Sequence, residues 1–172
     1  TLSMEIKKGA IWTNTAKEND ATTINSLSGN GGYIQMSDKT GTHLNVEQYS
    51  GNTTIMYNHD EKTPTNILGG DVTIKAATAG SNITLHTDSI GTSKQEEVKK
   101  VLDALAQKLT YTNHTDGNLK GTVQILEGMT TSSAMRTGAI AFDKNSGKGS
   151  LDTSKEVDVD LKYKGDYIYG DS

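Results

Sequence analysis

The feature that most constrains the fold is a pattern repeated three times, every ten residues or so, through SLSGNGGYIQMSDKTGTHLNVEQYSGNTTIMYNHD at residues 26–60: a polar, glycine-bearing turn, then a short run alternating apolar with polar. Period-two alternation marks a strand with one buried face. It predicts strands at 32–37 (GYIQMS), 43–49 (HLNVEQY), 53–57 (TTIMY), 71–76 (DVTIKA) and 82–87 (NITLHT). The inward residues are then Ile34, Met36, Leu44, Val46, Ile55, Tyr57, Val72, Ile74, Ile83 and Leu85, with Thr, Gln, Asn and His on the wet face. Between the strands, SGN (28–30 and 50–52), KTG (39–41), GGD (69–71) and AGSN (79–82) read as corners that tolerate positive φ or cap their own backbone.

Only 33% of the residues are hydrophobic and one is Phe, so any core must be thin and shared among stacked strands. A net charge of −4 and 22% charged residues give too little self-repulsion to keep the chain expanded. Two architectures suit such strands: hairpins closing into a sandwich, or parallel coils stacking into a solenoid. Two-residue hairpins favour Asn-Gly or Asp-Gly, and Asn-Gly occurs once, at 30–31, so the turn chemistry favours the solenoid. The length suits one domain over 1–172. No cysteine is present, which removes disulfides and thiolate chemistry, and no apolar run approaches a bilayer-spanning length. The start, TLSMEIKKG, has neither an initiator Met nor a signal-like pattern, so the chain reads as part of something longer.

One segment changes period. In SKQEEVKKVLDALAQKL (93–109), Val98, Val101, Leu102, Leu105 and Leu109 recur at helical spacing on one face. Ser93 and Glu96 form a capping-box pattern, Glu96 and Lys100 an i,i+4 pair, and Lys108 falls in the expected last turn. The helix belongs to an insertion over 93–120 that the reading makes a protrusion. Strands resume with LTYT from Leu109, then 121–128, 138–143 and 156–164, separated by NHTDGN and DKNSGKGS.

The phrases GAIWTNT, GNGGYIQMS, YSGNTTIMYNHD, NILGGDVTIKAA, SNITLHTDS and LKGTVQILEGMTTSSA together resemble the passenger regions of monomeric autotransporters of diderm bacteria, in particular adhesin-like, pertactin-type passengers. The match rests on Gly9 to Thr13, Gly31 to Ile34 and Ser50 to Asn52, and extends over most of the chain. The resemblance implies an all-β, right-handed parallel β-helix, anchored to the outer membrane by a C-terminal translocator barrel encoded elsewhere. It implies a cell-surface or extracellular location and partners among host-cell or matrix proteins, glycans or other bacterial surfaces. Its motifs are turn-and-strand phrases and carry architecture far better than activity. The helical insertion departs from a plain β-helix.

Chemistry has few seats. Asp38, Asp60, Asp71 and Asp88 sit at strand ends, where a solenoid would align some of them like the acids of β-helical polysaccharide-cleaving enzymes; capping of their own turns explains all four without a substrate. His43, His59, His86 and His114 lack the spacing of a metal motif, and GGDVTIKAA does not match the calcium-binding nonapeptide. NSGKGS at 145–150 is no phosphate loop, because Gly follows its Lys, and no nucleophile elbow appears. The triplets at Asn52, Asn82 and Asn113 match the glycosylation pattern by composition alone. The acidic balance without a basic stripe argues against nucleic acid. Trp12 reads as a core residue of an end coil, with a sugar-stacking platform as the alternative.

The expectation is therefore a non-enzymatic, cofactor-free and metal-free surface segment giving a stiff scaffold and contact surface for attachment, without membrane insertion by this segment. Its partner patch is placed on the insertion at Tyr111, Asn113, His114 and Asp116. The alternatives are a polysaccharide-cleaving enzyme and a pure spacer.

Overall fold

The computed structural model describes residues 2–127 and 132–163, the last strand by its backbone. β1 (Ser3–Lys7) and β2 (Ile11–Thr13) both pair in parallel with β3 (Ala21–Gln35), which pairs in parallel with β4 (His43–Met56). β4 pairs in parallel with β5 (Asp71–Ala77) and β6 (Ser81–Thr87). β7 (Leu109–Tyr111) continues from β5 and β8 (Leu119–Glu127) from β6, again in parallel. Each pass of the chain thus lays two strand segments beside those of the pass before.

The register makes two columns. Ile24, Val46, Ile74 and Tyr111 are successive partners in one, at offsets of 22, 28 and 37 residues. Trp12, Ile34, Ile55, Leu85 and Val123 form the other, at offsets of 22, 21, 30 and 38. The repeat in space is therefore regular while the repeat in sequence lengthens. Most of the extra residues enter one connection, from the end of the second column to the start of the first: seven residues at 14–20 and at 36–42, fourteen at 57–70 and twenty-one at 88–108.

The ten residues expected to face inward are all buried, none more than 2% exposed. Burying a side chain of that size contributes about 1.5–3 kcal/mol, so the columns are the main source of stability for a chain with so few apolar residues. Trp12 packs against this core partly buried. The class is all-β; strands dominate the described residues, and they hold one α-helix.

Two of the expected corners are not corners. SGN at 28–30 and at 50–52 lies inside the long strands β3 and β4, which pass through these residues with a register shift between Asn30 and Gly32. The reason is a close approach. Gly51 has φ +88°, and a Cβ there would run into the carbonyl oxygen of Gly29 on the adjacent strand. GGD at 69–71 does turn a corner, and only glycine fits position 70, where a Cβ would strike the Thr42 carbonyl.

After β8 the parallel rule ends. β9 (Ser132–Phe142) pairs antiparallel with β8, and β10 (Gly149–Leu151) and β11 (Asp158–Tyr163) pair antiparallel with β9. Turn chemistry accounts for the β9–β10 reversal: the Asp143 carboxylate accepts hydrogen bonds from the amides of Asn145 and Ser146 and from the Ser146 hydroxyl, and Gly147 takes φ +76°. Those donors, the Ser146 amide first, hold the Asp143 carboxyl below the usual carboxylate range. NSGKGS is thus part of a tight reversal. Gly128 and Lys164, the last residues of two predicted strands, lie outside the described residues.

The helix α1 (Gln95–Ala106) is not a protrusion. Val98, Val101, Leu102, Leu105 and Ala106 are buried in the same core as the columns, and α1 packs against β8, β9 and β10. Asp103 Oδ1 accepts the Leu151 amide at 2.9 Å, which joins the helix to β10. The capping box does not form: the N-cap is Lys94, without a side-chain cap bond, and the Ser93 carbonyl accepts from Arg136 Nη1 at 3.1 Å. Lys100 lies 4.0 Å from Glu97 instead of pairing with Glu96. Lys108 stands beyond the C-cap Gln107, and its ammonium donates to the Gly69 carbonyl at 2.8 Å. Burial draws its pKa down, against the opposing pull of Asp71.

Candidate binding cleft

β4 and β6 end side by side, with Met56 in register with His86, and the Tyr57 amide donates to the His86 carbonyl at 2.8 Å. The segments leaving these ends belong to the lengthened connections, and they diverge around a cleft of about 490 Å³. His59, Glu61, Thr87, Asp88, Ser89 and Ile90 are among its lining residues.

Two hydrogen-bonded relays set its polar groups. The buried Thr87 hydroxyl donates to the Tyr57 carbonyl at 2.8 Å, so its oxygen receives the His59 Nδ1 hydrogen across 2.7 Å. That bond makes Nδ1 a donor, so in the neutral ring His59 Nε2 is the acceptor. In the second relay, the amide nitrogen of Gln124 donates to His86 Nδ1 at 3.1 Å, and His86 Nε2 donates to Asp88 Oδ1 at 3.0 Å. His86 is only 2% exposed, so a buried imidazole positions an exposed carboxylate. Tyr57 donates its hydroxyl to the Gly70 carbonyl at 2.8 Å, and burial raises its pKa far above the ordinary phenol value. Among the described residues no lysine or arginine lines the cleft.

The four strand-end acids divide. Asp60 caps its own turn through the amides of Lys62 and Thr63. Own-turn capping does not account for the other three, because each meets a side chain that the ladder or the strand brings to it. Asp38 accepts from Asn58 at 2.9 Å, Asp71 lies 2.6 Å from His43 Nδ1 across the β4–β5 register, and Asp88 is held by His86. Of the four, only Asp88 lines the cleft. Among the described residues no group of three or more His, Asp or Glu is arranged to hold a metal ion.

Of the residues proposed for a partner patch, Tyr111 ends β7, and Asn113, His114 and Asp116 follow on the loop between β7 and β8. Tyr111 is buried, and its hydroxyl donates to the Asp116 carboxylate at 2.8 and 2.9 Å; burial and that neighbour push its pKa up to about 12. Asn113 and Asp116 are exposed, and the ring nitrogens of His114 lie 3.1 and 3.0 Å from the carbonyls of Thr112 and Lys144. Tyr111 therefore braces this loop from within.

The cleft residues His59, Glu61 and Thr87 and the supporting His86 and Gln124 escaped selection as a site. The signal available was HTD at 86–88, three polar residues ending an apolar strand, 28 residues after NHDE at 58–61. No protein-family model, no curated protein and no solved structure matches the chain.

Proposed function

We propose that the chain is a segment of an autotransporter adhesin's passenger, wound as a right-handed parallel β-helix, exposed at the cell surface and serving as a stiff scaffold with an attachment surface. The observation that carries this reading is the ladder: parallel pairings from β1 to β8 hold the same two apolar columns while the connections lengthen. Right-handed connection is the rule for parallel strands joined by a crossover. Continuous ladder bonding favours stiffness along the stack, and Thr, Asn and Ser on the outer faces resist aggregation.

Attachment is assigned to the corners, because the helix is committed to the core. The loop carrying Asn113, His114 and Asp116 and the longer connections at 57–70 and 88–94 supply irregular polar surface of the kind that recognises partners. No catalytic role is assigned: Asp38, Asp60 and Asp71 are engaged with Asn58, their own turn and His43 respectively.

The test is a binding screen of the purified chain against host cells, matrix proteins and a glycan array, beside surface labelling of the source bacterium. Saturable binding that falls when Asn113, His114 and Asp116 are replaced by Ala supports attachment through that loop. Absence of binding with intact surface labelling would leave a spacer. Release of reducing ends from polysaccharides, abolished by Asp88→Asn, would overturn the non-enzymatic reading.

A further inference from the structure

We propose that the cleft between 57–61 and 87–91 binds a small organic compound through a primary ammonium group. The proposal goes beyond the attachment reading and does not depend on it.

The polar wall is built to accept. Thr87 fixes His59 Nδ1 as a donor, so in the neutral ring the nitrogen left for a ligand is Nε2, an acceptor. Glu61 and Asp88 add carboxylates, and the buried His86 positions the second. Such a wall repels anions. The tyrosine in the lining offers no ring face for a sugar, because Tyr57 is only 2% exposed. A bare divalent ion is a poor fit, since among the described residues no set of three His, Asp or Glu converges and the volume is that of a small-molecule site. An alkyl- or sugar-borne ammonium fits on both counts. Its three N–H donors and positive charge match acceptors that carry no hydrogens, and Ile90 gives its carbon body an apolar contact.

The experiment is a nitrogen-15 NMR titration of the full 172-residue chain with n-butylammonium chloride and with glucosamine, against 1-butanol, glucose and potassium chloride at matched ionic strength. Saturable amide shifts confined to 57–61 and 86–91 with at least one ammonium probe, and absent with its neutral counterpart, are expected. Which of the two saturates separates an alkylamine from an amino-sugar ligand. Glu61→Gln should weaken binding about fivefold or more. Thr87→Val should weaken it as well by freeing the His59 ring; Thr87 is buried, so if that variant fails to fold, the exposed Glu61→Gln decides. The proposal is overturned if the neutral probes bind equally, if potassium chloride reproduces the shifts, if zinc chloride binds these residues while both ammonium probes do not, or if Glu61→Gln binds as the parent does. Attachment to cells or matrix is read separately, so failure of either result leaves the other standing.

Discussion

Tyr49 and Tyr57 donate their hydroxyls to backbone carbonyls of neighbouring stretches and Tyr111 donates its own to the Asp116 carboxylate, and each is held neutral by its surroundings. Tyr49 donates to the Asn82 carbonyl at 2.6 Å, and burial pushes its pKa up to about 12; Tyr111 reaches a similar value and Tyr57 a higher one. A phenol raised above its unfolded value near 10 keeps its proton in the folded chain while the unfolded chain loses it. The stability this contributes is complete below pH 10 and declines as pH climbs toward 12, with a slope for Tyr49 alone approaching about 1.4 kcal/mol per pH unit. Urea midpoints measured from pH 9 to 12 should fall steadily above pH 10; a flat profile would contradict the buried, neutral phenols. Glycine matters as sharply at position 51, where positive φ coincides with the close approach of Gly29. Gly51→Ala should cost on the order of 1–3 kcal/mol, read from the same midpoints at neutral pH. Conformation at that residue was invisible in the letters, because SGN is equally good as a corner or as a kink within a strand.

At the scale of elements, α1 was legible in its apolar stripe and opaque at its ends. Val98, Val101, Leu102 and Leu105 announced the buried face, whereas the capping pattern at Ser93 misled because the helix begins one residue later than that pattern requires. Lys94 occupies the N-cap with extended backbone angles and supplies no acceptor. Lys94→Ser should therefore stabilise the chain by about 0.5–1 kcal/mol, visible as a higher thermal midpoint with unchanged circular dichroism. The inward strand residues were readable for the same reason as the stripe: burial imposes a period. What two-letter periodicity left open was the partner of each strand. Parallel pairing through β8 followed from the turn chemistry, but DKNSGKGS held hairpin chemistry that passed as a spacer until its Asp143 network was seen. The cleft was hidden for a related reason, since His59 and Thr87 become neighbours only once β4 and β6 lie side by side.

For the molecule as a whole, the ladder is unequal at its two ends. β4 is flanked by β3 on one side and by β5 and β6 on the other, while β1 and β2 pair with β3 alone. Ile11 is 55% exposed at this margin, whereas α1 and β9 cover the core near β8. Hydrogen exchange should thus be slowest for amides of β4 and fastest, among the ladder strands, for those of β1 and β2; equal protection across the stack would mean that it opens only as a unit. The connections of seven, seven, fourteen and twenty-one residues carry a further consequence. Most of the added length is absorbed along one meridian while the gauge of the strand stack stays constant, and loop closure grows only slowly more costly with length. Edits along that meridian would change what is presented there without a new scaffold, and an antibody or receptor telling such variants apart would have to approach from that side.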